Sequence, residues 1–128
     1  MSNALVEQTL RLYSRYQREV VEALDLCPWA KQAREQGRVE PTVSLLEAPD
    51  PAPVLAQIDE WSAGSRIEIG LVIFPLLSVT RREFERFATA TMSADKARHE
   101  LTSPEFVLAA FHPDAALDDE TPQRLIPY

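Results

Sequence analysis

The chain is short of glycine and has one cysteine, and both shortages exclude familiar chemistry. Glycine occurs 3 times in 128 residues, and no G-x-G-x-x-G, P-loop or G-x-S-x-G pattern is present. A phosphate cradle built from glycine backbone is therefore not expected. The one cysteine, Cys27, cannot form an internal disulfide. Nothing calls for an oxidising compartment, so the cytoplasm is the expected location. Positive charge is also in deficit: 13 Lys and Arg against 20 Asp and Glu leave a net charge of -7. That balance works against nucleic acid or an anionic membrane as partner, because neutralising phosphates takes concentrated positive charge. No apolar run approaches the ~20 residues a bilayer crossing needs. The opening MSNALVEQTLRLYSRYQ is polar and amphipathic, unlike a secretory signal.

What remains is an ordinary globular composition, with 45% hydrophobic and 26% charged residues. The length suits one domain, residues 1–128, with one hydrophobic core. No internal repeat or low-complexity tract interrupts it. Asn3 to Leu24 reads as a helix, with Val6, Leu10, Tyr13, Val20 and Leu24 on one apolar face. Arg11, Arg15 and Arg18 share another face. Each has an acidic partner four residues away (Glu7–Arg11, Arg15–Glu19, Arg18–Glu22), so this stripe reads as a neutralised, solvated face.

Pro28 should end that helix and open a second, from Pro28 to Gln36, which Gly37 closes. A short strand is expected at Thr42–Leu46, then a breaker in Ala48-Pro49-Asp50-Pro51 and the residues after it. A third helix follows, with Val54, Leu55, Ile58 and Trp61 on its inner face. Arg66–Phe74 is almost continuously apolar and reads as a buried strand. Thr80-Arg81-Arg82-Glu83 fits a capping box opening a fourth helix, with Phe84, Phe87, Ala88 and Met92 inward. Glu105–Phe111 is the last expected strand. This alternation predicts an α/β domain of two or three layers, with four helices and a mostly parallel sheet of about three strands. The alternative is a ferredoxin-like α+β arrangement.

Three residues are the candidates for chemistry. Cys27 is expected at or beside the start of the second helix, where unpaired N–H groups would stabilise a thiolate. The competing reading packs Cys27 into the core among Leu26 and Trp29, since free cysteine is commonly buried. His112 ends an expected strand, where ligands gather in open α/β sheets, and Asp114 lies close by in sequence. Together Cys27, His112 and Asp114 would supply a thiol nucleophile, its base and an accompanying carboxylate. His99, late in the fourth helix, reads as structural. Cys27, His99, His112 and Asp114 match no zinc spacing, so no metal site is expected. Glu47, Asp50, Asp118, Asp119 and Glu120 lack calcium-loop spacing and read as solubilising. The Cys27-Pro28 pair is similar to cysteine–proline motifs that hold haem, but two residues do not define a cofactor, and the cofactor stays unknown.

Leu24-Asp25-Leu26-Cys27-Pro28-Trp29-Ala30-Lys31, taken with Ala110-Phe111-His112-Pro113-Asp114, resembles a bacterial family catalogued as domain of unknown function 1415. The resemblance spans Tyr13 to Tyr128 and implies kinship without an assigned reaction. It marks Cys27, Pro28, Trp29, Ala30, Phe111, His112, Pro113 and Asp114 as motif positions. The family pattern continues past Pro127-Tyr128 into an arginine-containing tail, so a site that draws on this tail would be incomplete here. Two functional classes follow. One is a small-molecule enzyme or ligand-binding domain centred on Cys27 and His112. The other is a non-catalytic interaction module or homo-oligomer subunit, suggested by the apolar Leu125-Ile126-Pro127-Tyr128 ending.

Overall fold

The structure, a computed structural model, describes residues 2–64, 66–99, 106 and 108–111. Its elements run α1 (Ser2–Tyr16), a π-helical segment (Gln17–Glu22), α2 (Ala30–Glu35), β1 (Val39–Val43), α3 (Pro51–Gly64), β2 (Ile69–Ile73) and α4 (Arg81–Arg98). This is a mixed α/β chain; the strands among the described residues, β1 and β2, pair in parallel from Val39 opposite Ile69 to Val43 opposite Ile73. Consecutive strands lie side by side with α3 as the connection, a βαβ unit. His112 and Asp114 lie outside the described residues, as do Glu105 and Val107 of the expected last strand. The described part of that stretch, Phe106 and 108–111, is in no helix or strand.

The chain divides into two compact units: residues 1–47 with 57–77, and residues 48–56 with 78–128. In the first, α1 and α2 each pack against the π-helical segment and against β1. The strand pair carries a close approach of its own. Trp61 on α3 lies against Gly70 of β2, where an added Cβ would fall 2.6 Å from ring atoms Cε3 and Cη2. The Trp61 indole N–H donates to the Glu40 carboxylate of β1. Trp61 and Ile58 are both buried.

β1 begins three residues earlier than the expected Thr42–Leu46, because Pro41 is inside it. The ladder explains why a proline is tolerated. Arg38 O accepts from Ile69 N–H at 3.2 Å and Ser44 N–H donates to Ile73 O at 2.8 Å. Even-numbered residues of β1 thus turn their backbone to β2, and Pro41 faces the other edge, where its missing N–H breaks no bond with β2.

In the second unit, Thr80 caps α4 as its sequence promises, its hydroxyl accepting from Glu83 N–H at 3.1 Å. The buried stripe of α4 is more polar than expected: Phe87, Thr91 and Asp95 are buried, while Phe84, Ala88 and Met92 are half-buried. The Thr91 hydroxyl bonds Phe87 O at 2.8 Å, which satisfies it inside the helix. At the start of α3, the Asp50 carboxylate accepts from Ala52 N–H at 3.1 Å, with Pro51 in the first helical position where no N–H is needed.

Candidate functional site

The first helix does not run unbroken to Pro28. It widens into the π-helical segment at Gln17 and stops at Asp25, which adopts a left-handed φ of 52°. There Asp25 N–H bonds Glu22 O at 3.1 Å and Leu26 N–H bonds Val21 O at 2.9 Å. This is the hydrogen-bond pair of a Schellman ending, with aspartate where glycine is usual. α2 closes in the same way at Gly37, φ 69°, through Gly37 N–H to Arg34 O and Arg38 N–H to Ala33 O. Between these two stops lie the Cys27 turn and α2.

The second helix starts at Ala30 with Trp29 as its N-cap residue, two residues later than expected. Cys27 is therefore three residues ahead of the first helical residue, and its carbonyl accepts from Ala30 N–H at 3.2 Å. The expected placement of Cys27 beside the helix start is corrected accordingly. With only six residues, α2 also brings a weaker dipole than a long helix. Cys27 is half-buried, and its sequence neighbours Leu24, Leu26 and Trp29 are 64%, 40% and 68% exposed.

A polar cluster lies around this turn. Arg34 of α2 grips Glu22 with two hydrogen bonds, Nε to Oε2 at 2.7 Å and Nη2 to Oε1 at 2.9 Å. The Glu22 side chain is 7% exposed and that of Arg34 31%. Hydrogen bonds from Arg34 hold the Glu22 carboxyl below the ordinary carboxylate range, outweighing burial, which acts the other way. Gln17, buried in the π-helical segment, reaches Ala30 O through a long hydrogen bond of 3.5 Å. Tyr13 of α1 completes the group. Burial pushes its phenol up to about 12, helped by the negative charges of Glu22, Tyr16 and Cys27. A phenol held in this way keeps its proton to higher pH than an ordinary tyrosine.

Sequence reading missed Gln17 and Arg34, and it paired Glu22 with Arg18 along one helix. The available signal was Gln17 itself, a polar residue falling between Tyr13 and Val20 on an otherwise apolar stripe. Of the three expected helix pairs, Arg15–Glu19 forms at 3.5 Å on the exposed surface. His99 has a structural setting: its Nδ1 lies 2.8 Å from Asp95 O, and buried Asp95 bonds Arg98 at 2.7 Å.

Among the described residues, no group of three or more His, Cys, Asp or Glu side chains is arranged to hold a metal. No helix among them is long and apolar enough to cross a membrane. No curated protein and no solved structure matches the chain. A family model described as "Protein of unknown function (DUF1415)" matches residues 9–128, which includes the Cys27 turn and nearly everything around it. The chain belongs to the DUF1415 family.

Proposed function

We propose that this protein is a small-molecule enzyme or ligand-binding domain that works at the Cys27 turn. The observation carrying this reading is the half-buried Cys27 in the family-motif turn, which the Glu22–Arg34 ion pair brackets in sequence, with the Tyr13 phenol pushed up by burial. A thiol supplies a nucleophile, and a neutral phenol supplies a proton to negative charge developing on a bound molecule.

A generic acyl donor tests it. With p-nitrophenyl acetate, attack by the Cys27 sulfur would form a thioester and release p-nitrophenolate. The expected result is a release burst of about one equivalent per chain and an acetyl mass on the peptide holding Cys27. Both are lost in Cys27→Ser, and the burst slows in Tyr13→Phe. A Cys27→Ser protein that keeps the burst would remove the thiol from the mechanism.

A second reading has its own observation. Leu24, Leu26 and Trp29 are exposed within six residues of one another, and clustered exposed apolar side chains mark contact surfaces. On this reading the turn docks a protein partner, a second copy included. Light scattering at rising concentration should show self-association that Trp29→Ser weakens; a monomer throughout would rule out the second copy.

A further inference from the structure

We infer that the Cys27 turn and α2 form a latched unit, which opens as one piece while the rest of the chain stays folded. The Glu22–Arg34 clamp sets how often it opens. The proposal concerns the same turn as the reading above but rests on the clamp geometry, and its readout is thiol access rather than turnover.

Four observations point to a latch. α2 has six residues, well under the ~12–15 at which an isolated helix becomes even marginal in water. Its buried side chains are Ala30 and Ala33, which bring little apolar surface to the interior. The incoming connection is held no better by burial, since Leu24, Leu26 and Trp29 all face solvent. Besides the packing of α2 on the π-helical segment and β1, two directed ties hold it to that segment: the double Arg34–Glu22 hydrogen bond and the longer Gln17–Ala30 bond.

The π-helical segment is part of the device. Its wider winding shifts the helical phase of the residues after it relative to an α-helix, so it fixes the direction in which Glu22 points. Glu22 and Arg34 then bracket the turn from both sides, twelve residues apart in sequence. A segment that is short, poorly buried and tied at two points belongs to the low-stability end of local unfolding. Cys27 lies inside it and is half-buried, so the closed state sets a basal labelling rate and opening adds to it.

The experiment is native-state alkylation of Cys27 by iodoacetamide, followed by intact mass across low urea concentrations. The chain has one cysteine, so the signal is unambiguous. Wild type is compared with Arg34→Gln and with Glu22→Gln. These variants remove charges of opposite sign, so a field effect on the thiol would move the two rates in opposite directions. A latch predicts that both accelerate labelling, by about tenfold, the scale of losing a charge-assisted hydrogen bond. Opposite shifts, or no acceleration in either variant, would overturn the proposal. Wild type provides a second measurement if a variant folds poorly. That measurement is hydrogen exchange of the α2 amides: local opening makes it nearly independent of urea below the unfolding transition, whereas a urea slope equal to that of global unfolding sinks the latch.

Discussion

The two ends of the first compact unit are held by different physics. At the strand end, Trp61 packs over Gly70, Ile58 is buried beside it in sequence, and β1 and β2 share a full backbone ladder. At the helical end, a six-residue helix of small buried side chains is tied by one buried carboxylate and one amide. Packing is non-directional and spread over many atoms, so it fails gradually. Directed polar ties are few, and losing one partner leaves the other desolvated. The contrast suggests where rigidity is concentrated and where a local change can act, and the Cys27 turn falls at the second place.

Substitutions at the strand end should have the largest effects. Trp61→Ala removes a buried indole and strips Glu40 of its donor. The expected loss is about 3–5 kcal/mol, the range for large-to-small changes at buried aromatics. Gly70→Ala forces a Cβ into the Trp61 ring and should cost about 1–3 kcal/mol, the usual cost of overpacking. The two are not independent. In the double variant the alanine Cβ enters the space that the indole has left, so the combined loss falls short of the sum. Urea unfolding of the four proteins measures this directly. Additive losses would mean that the Trp61–Gly70 contact does not govern this end. If Trp61→Ala does not fold, Gly70→Ala alone still reads the overpacking term.

How much of this was legible in the sequence differs between the same two ends. The existence of β2, the inner face of α3 and the Thr80 cap follow from apolar spacing and a local hydrogen bond, both contained in a few neighbouring residues. β2 is nonetheless shorter than the expected Arg66–Phe74, and half-buried rather than buried. Parallel pairing followed from the alternation of elements. The helical end was less legible because its determinants are individual exceptions. Asp25 takes a left-handed conformation for which sequence rules look first to glycine, so the stop was assigned to Pro28. Pro41 reads as a breaker until the ladder shows which edge it faces. Glu22 has a local partner at Arg18 by spacing, yet it pairs with Arg34, which only the fold brings near. The Cys27 turn was recognisable as a motif position, and its family membership covers it. Its polar neighbours were not, because long-range ion pairs leave no periodic trace.

The smallest expected effect belongs to Tyr13, and it sharpens the comparison by testing the helical end through a proton. Its phenol rises from 10.0 to about 12, first through burial and then through Glu22, Tyr16 and Cys27. In the unfolded chain Tyr13 loses its proton near the ordinary value of 10, while the folded chain keeps it to about 12. Between these values the native state binds more protons than the unfolded state, so stability falls as pH rises through that window. Below pH 10 both states are protonated and the effect vanishes. Tyr13→Phe removes this titration, so its unfolding midpoint should decline less than that of wild type between pH 10 and about 12. Phenolate absorbance gives a second reading, with a titration at about 12 disappearing in Tyr13→Phe. Glu22→Gln should draw that titration back toward 10, because the Glu22 charge is the largest contribution after burial. If Glu22→Gln leaves it unmoved, the Glu22 charge does not hold Tyr13 up, and the Glu22–Arg34 pair is not electrostatically joined to α1.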